Sequence, residues 1–186
     1  EEEADPVLEK IKEEKAEKNR KKNSMFIDVD DFKKIVEILT KQNKTIATME
    51  SCTGGGVVNA ITNVEGAGEV IEYASVTYSN RYKIKMGVSE DVINKYSVYS
   101  METAKEMSKN IASFANAHYG IGVTGKLNRV DIHNLTGEDN KVYISIYDRE
   151  NDIFYNKELK ADKENRTKNK EYIIETIIIE LENILK

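Results

Sequence analysis

Three side chains that can act as nucleophiles, Ser51, Cys52 and Thr53, stand in a row directly before glycines 54–56. The flanking residues predict a strand followed by a helix, so this segment is predicted to be a tight strand-to-helix turn. Unpaired backbone N–H groups in such a turn can bind an anion or a developing oxyanion. The alternative is structural: Ser51 or Thr53 caps the helix, and Cys52 is a small buried apolar residue.

A second candidate group follows the strand predicted over residues 70–78, where Tyr78 is followed five residues later by Lys83. Ligands of α/β proteins gather at strand ends. A partly desolvated Lys83 could act as a base there, with Tyr78 relaying a proton. The alternative is a lysine-rich surface loop. The two histidines suggest no Ser-His-Asp triad, so the activating base is predicted to be a lysine or a tyrosine.

Two other motifs match known functional motifs only in part. Residues 120–126 fit the opening of a phosphate-binding P-loop, but Leu127 stands where a serine or threonine should bind magnesium. A magnesium-dependent phosphatase or nucleotide hydrolase is therefore a third and weaker hypothesis. His133 lies near Asp131 and Glu138, and we interpret this group as solvated loop residues. No metal site is predicted.

The composition excludes several classes of protein. The 186 residues carry a net charge of −5, which argues against a nucleic-acid binder held by phosphate contacts. No apolar run reaches the ~20 residues that span a bilayer, and no signal peptide is visible, so no membrane association is expected. Cys52 is the only cysteine, which excludes intramolecular disulfides and cysteine-rich zinc sites. A cytoplasmic protein is the default expectation.

Helical and strand patterns alternate along the chain, which predicts a layered α/β domain. Ala104, Met107, Ile111 and Phe114 are predicted to share the buried stripe of one helix. The predicted helices cover residues 30–42, 57–61, 89–95, 100–114 and 173–185, and the predicted strands cover residues 45–49, 70–78, 119–124, 142–147 and 153–159.

The first residues differ in composition from the rest. Residues 1–24 contain eight acidic and seven basic side chains, with too few apolar groups to bury a helix face. We predict a charged N-terminal tail over residues 1–24, helical or disordered, and an α/β domain over residues 25–186. The tail is also a candidate binding segment for a protein partner.

Three motifs follow one another along the chain: Met49-Glu50-Ser51-Cys52-Thr53-Gly54-Gly55, Val76-Thr77-Tyr78-Ser79-Asn80 with Lys83, and Gly87-Val88-Ser89. In this order and spacing they closely resemble the carboxy-terminal domain of CinA, the nicotinamide mononucleotide (NMN) deamidase family. The resemblance covers about residues 28–186.

The resemblance implies a three-layer α/β/α sandwich that hydrolyses the carboxamide of NMN, or of a related pyridine nucleotide, without metal or cofactor. Ser51 would be the nucleophile, Lys83 the base and Tyr78 the proton relay. A homo-oligomer is expected from the frequency of oligomers among such enzymes. The implied substrate-binding residues are Cys52, Thr53, Gly54, Gly55, Asn80, Thr124, Gly125 and Arg166.

The loop after Gly125 departs from the family. The family continues with Ile-Ala-Gly-Pro and a glycine-rich stretch, whereas this chain has Lys126-Leu127-Asn128-Arg129-Val130-Asp131. Lys126 and Arg129 could still bind a phosphate, as could Arg81 and Arg166. The alternative to an enzyme is a catalytically impaired CinA-like module that binds nucleotides or proteins, with the tail recruiting the partner.

Overall fold

A five-stranded sheet forms the centre of the structure, a computed structural model that describes residues 11–12 and 29–186. The predicted tail thus lies outside the described residues except at positions 11 and 12. The strands are β1 (Ile46–Glu50), β2 (Ala74–Val76), β3 (Tyr119–Gly125), β4 (Lys141–Asp148) and β5 (Ile153–Lys160). The helices from residue 29 onward are α1 (Val29–Gln42), α2 (Gly56–Thr62), α3 (Asn80–Lys85), α4 (Glu90–Tyr96), α5 (Met101–Phe114) and α6 (Arg166–Ile184).

The strand order is β2-β1-β3-β4-β5, and the carboxyl ends of β2, β1 and β3 lie side by side at one end of the sheet. β1 runs parallel to both β2 and β3, and Glu50 lies opposite Val76 and Val123. β4 and β5 are antiparallel additions beyond β3. Every residue of β1 and β3 is buried, as expected for central strands covered on both faces.

Helices cover both faces of the sheet, so the predicted three-layer α/β/α arrangement is confirmed. One core joins the sheet to α1, α2 and α6, with Phe32, Val57 and Ile177 in its interior. The other core joins the sheet to α4 and α5, with Ile93 and Met107 in its interior. Apolar residues at helical spacing supply the buried face of each long helix.

Two glycines let α5 pack directly on β3. A Cβ atom added at Gly120 would lie 2.0 Å from the Ser108 carbonyl oxygen, and one at Gly122 would lie 2.3 Å from the Ala104 carbonyl oxygen. These glycines thus serve helix-to-strand packing. Because residues 120–125 belong to β3, they form no phosphate-binding loop, and the P-loop hypothesis is wrong.

Three predictions of local structure need correction. The strand predicted over residues 70–78 is reduced to the edge strand β2 (Ala74–Val76), and Val70 instead caps the 3₁₀ turn over residues 67–69. Residues 80–85, which were not predicted to be helical, form α3, capped by Ser79. Phe114, which was predicted to be buried, is 63% exposed and contacts the Tyr73 ring, because it is the last residue of α5 and lies beyond the edge of the core.

Candidate active site

Ser51 is the first residue after β1, at the edge where the parallel strands end. Its N–H donates to the Val123 carbonyl (3.0 Å), so the sheet fixes its backbone. The next turn contains Gly54 at φ +62° and Gly55 at φ +93°, values that glycine adopts without strain. Ser51 is buried, with 5% of its surface exposed.

Glu50, the residue before Ser51, fixes the far side of the same turn. Its buried carboxylate accepts hydrogen bonds from the N–H groups of Val57 (2.8 Å) and Val58 (3.0 Å), at the beginning of α2. The sequence motifs gave no indication of this role for Glu50. Helix-capping side chains are usually sought within three residues of the N–H groups they bind, whereas Glu50 lies seven and eight residues away.

Lys83 projects from α3 and meets Ser51 below the surface. Its Nζ lies 3.1 Å from Ser51 Oγ and 2.7 Å from the Thr77 carbonyl oxygen, and only 1% of Lys83 is exposed. Burial lowers the pKa of the Lys83 amine from 10.5 to about 8, with Cys52 and Asp131 opposing the shift. An amine with this pKa can accept a proton near neutral pH.

The Cys52 thiol is a poor nucleophile in this environment. Burial raises its pKa to about 12, so the thiolate is scarce at neutral pH. Lys83 and Lys170 oppose that shift but do not cancel it. The neighbouring Ser51 hydroxyl, by contrast, has the Lys83 amine within hydrogen-bond distance.

A cavity of about 490 Å³ opens above Ser51. This volume lies in the range of small-molecule sites. Five of the predicted site residues line it, and the loop after β3 supplies most of the remaining wall. The predicted residues are Ser51, Cys52, Tyr78, Gly125 and Arg166, and the loop residues are Lys126, Arg129, Val130, Asp131 and Ile132.

The other predicted binding residues lie outside the cavity lining. The Thr124 hydroxyl donates to the Val98 carbonyl (2.9 Å), and the Asn80 amide donates to Asn134 Oδ1 (2.7 Å). The Thr53 hydroxyl is buried without a partner among the described residues. Gly54 and Gly55 shape the turn after Ser51.

Of the proposed phosphate-binding side chains, Lys126 is already neutralised. It is buried, and its Nζ lies 2.8 Å from Asp139 Oδ1. Arg129 and Arg166 are exposed at the cavity and form no salt bridge within residues 29–186. Arg81 lies over the Tyr82 ring and does not line the cavity. The two unpaired arginines are therefore the better candidates for binding an anion.

Tyr99 and Asp131 are cavity residues to which the sequence assigned no role in the site, Asp131 having been interpreted as a solvated loop residue. The Tyr99 hydroxyl donates to Asp131 Oδ2, the Asn134 amide donates to the same oxygen (3.0 Å), and the His133 N–H donates to Oδ1 (2.9 Å). These bonds lower the Asp131 pKa to about 2, whereas burial raises the Tyr99 pKa. No local pattern pairs residues 32 positions apart.

The family model of the CinA C-terminal domain matches residues 30–184. The chain belongs to the CinA C-terminal domain family. A curated relative from Thermoanaerobacter sp. (strain X514), called a putative competence-damage inducible protein, is 41% identical over 101 residues, or 53% of this chain and 24% of the relative. One of the same description from Clostridium beijerinckii is 38% identical over 65% of this chain and 29% of the relative. The CinA-like chain thus matches about a quarter of the length of these relatives.

Solved structures of CinA proteins share the fold. The competence/damage inducible protein CihA from Agrobacterium tumefaciens superposes with a TM-score of 0.78 at 24% identity, covering 88% of this chain and 99% of its own. A CinA superfamily protein from Escherichia coli gives a TM-score of 0.74 at 22% identity, covering 89% and 97%. No helix among the residues described here is long and apolar enough to cross a membrane.

Proposed function

We propose that this chain hydrolyses the carboxamide of NMN, or of a related pyridine nucleotide, to the nicotinate form and ammonia. The observation that carries the proposal is the buried Lys83 amine, 3.1 Å from Ser51 Oγ at a cavity. A serine hydroxyl needs an adjacent base to attack an amide, and Lys83 is positioned to be that base. Membership of the CinA family supports the same reaction.

In the first step, the neutral Lys83 amine takes the Ser51 proton as Oγ bonds to the carboxamide carbon. The carbonyl electron pair moves onto its oxygen and forms an oxyanion. The backbone N–H groups of Cys52 and Thr53 are candidate donors to it, because no carbonyl of another residue within 29–186 accepts a hydrogen bond from them. Such donors stabilise the charge that develops in acyl transfer.

In the second step, the C–N bond breaks and ammonia leaves with a proton that originates from the Lys83 ammonium. Tyr78, which lines the cavity, is the proposed relay for this proton. The product is a nicotinoyl ester on Ser51 Oγ. Water, deprotonated by the same amine, then attacks the ester and restores the free serine.

The cavity also offers complementary groups for the rest of a pyridine nucleotide. The exposed guanidinium groups of Arg129 and Arg166 suit a phosphate, which arginine binds with paired hydrogen bonds. The rings of Tyr78 and Tyr99, together with Ile132, give flat or apolar surface for the pyridine.

The test is release of ammonia and nicotinate mononucleotide from NMN, with and without a chelator. Ser51→Ala should abolish turnover and leave the thermal unfolding curve intact. Ser113→Ala, an exposed serine on α5, is the matched control and should keep wild-type activity. Turnover that persists in Ser51→Ala would exclude Ser51 as nucleophile. A folded wild-type chain that binds NMN without turnover would instead favour the non-catalytic binding module.

A further inference from the structure

Asp131 connects three separate segments around the candidate site. It accepts hydrogen bonds from Tyr99, which precedes α5, and from Asn134 in its own loop. Asn134 in turn accepts from Asn80, the first residue of α3 (2.7 Å). Since α3 carries Lys83, this network joins the loop after β3 to the helix that positions the proposed base.

The Asp131 carboxylate keeps its full negative charge within this network. All of its hydrogen-bond donors are neutral: a phenol, a side-chain amide and the backbone N–H of His133. No lysine or arginine in the described part of the chain forms a salt bridge with it. With a pKa of about 2, the group stays ionised throughout the range in which Lys83 titrates.

Lys83 is the buried cation on which this charge acts. The groups bonded to its amine, Ser51 Oγ and the Thr77 carbonyl, are neutral, and the nearby Cys52 is held as a thiol. Asp131 is the carboxylate whose charge favours the protonated amine.

Among the other charged groups near the cavity, Lys170 lies half-buried beside Gly54 and Cys52, and the rest are engaged elsewhere or exposed. Glu50 is used by the N–H groups of α2, and Lys126 is paired with Asp139. Arg129 and Arg166 lie exposed at the cavity. The remaining titratable groups that line it are the phenols of Tyr78 and Tyr99.

We propose that Asp131 is a positioning residue for the Ser51–Lys83 pair, holding its loop against α3 and stabilising the protonated form of Lys83 by its charge. In the reaction proposed above, on which this inference rests, Lys83 becomes an ammonium as Ser51 attacks. A fixed negative charge in the same cavity therefore lowers the energy of that step.

The charge effect is testable without any substrate. The Lys83 Nζ titration is followed by NMR of the ¹³Cε signals of labelled lysine, with Lys83→Arg to assign the signal. In Asp131→Asn, Lys83 should titrate at a lower pH than in wild type, because a negative charge that favours the ammonium form is gone. Asp131→Ser removes the same charge and replaces the asparagine variant if that variant does not fold.

Two control variants separate charge from structure. Tyr99→Phe removes one hydrogen bond but keeps the carboxylate charge, so the Lys83 titration should stay at its wild-type position. Asp162→Asn removes an exposed carboxylate paired with Lys163 and should also leave it unchanged. An unchanged Lys83 titration in a folded Asp131→Asn or Asp131→Ser protein would overturn the proposal.

Kinetics with NMN provide the second readout. In Asp131→Asn, the acidic limb of the kcat/KM profile should move to lower pH together with the Lys83 titration. In Tyr99→Phe that limb should stay in place while KM rises, because the loop has lost one anchor. If wild type does not hydrolyse NMN but the NMR shift is observed, the proposed function fails, while the coupling between Asp131 and Lys83 stands.

Discussion

Replacing Lys83 with methionine measures the cost of burying its amine. The folded state holds the Lys83 pKa at about 8, below the ordinary 10.5, so folding disfavours the ammonium form. At 1.36 kcal/mol per pH unit, this difference costs the folded protein about 3 kcal/mol below pH 8. The cost is complete there because both states are protonated. It fades towards pH 10.5, where the unfolded chain also loses the proton.

Methionine has a similar reach and no charge, so the variant lacks this pH-dependent cost. It also lacks the hydrogen bonds to Ser51 Oγ and the Thr77 carbonyl, but that loss acts at both pH values. The free energy of unfolding of the wild type should therefore increase relative to that of the variant as the pH rises. The free energy of unfolding of Lys83→Met minus that of wild type should fall by about 2 kcal/mol between pH 7 and pH 10.

The assay is urea denaturation followed by circular dichroism, with both proteins at both pH values. Other titrating groups are common to the two proteins, so their contributions largely cancel. Lys85→Met, an exposed lysine near the Tyr82 ring on the same helix, is the matched control and should follow the wild-type pH dependence. The same free-energy difference at pH 7 and pH 10 would mean that Lys83 has an ordinary pKa. That result would remove the physical basis for Lys83 as a base near neutral pH.

Three further predictions concern the frame of the site. Glu50→Ala should lower the free energy of unfolding by about 3–6 kcal/mol in urea melts, because two hydrogen bonds to a charged acceptor are worth about 1.5–3 kcal/mol each. If Glu50→Gln is as stable as the wild type, the charge of Glu50 has no role. Gly120→Ala should cost about 1–3 kcal/mol or more through its clash with α5, whereas Gly68→Ala, with open space around it, should not; equal stability of these two variants would contradict the close packing. Iodoacetamide at pH 8 should modify Cys52 slowly in the folded protein and quickly in urea, as read by mass spectrometry; rapid labelling of the folded chain would argue against a buried thiol.

Much of the fold follows from patterns that span only a few residues. Apolar spacing placed Ile35 and Leu39 on one buried face of α1, and Ile173 and Ile177 on one buried face of α6. The same local reasoning failed for α3, whose sequence Asn-Arg-Tyr-Lys-Ile-Lys has no apolar stripe. That helix is short, and the side chain it buries is Lys83, a residue type that is rarely buried.

The position of a possible nucleophile can be read from the amino-acid sequence alone. Ser51 stands between a buried strand and a glycine turn, and both features depend on residue type and short spacing. The motif around Tyr78 and Lys83 also specified the family. These signals are local, so a single chain displays them without any knowledge of its folded form.

The contacts between the chemical groups of the site depend on the folding of distant segments onto one another. Lys83 reaches Ser51 from 32 residues away, and burial at that contact lowers its pKa. Tyr99 and Asp131 meet across the same number of residues, and Lys126 is neutralised by Asp139. Desolvation and charge pairing depend on which segments the sheet brings together, so these properties belong to the fold.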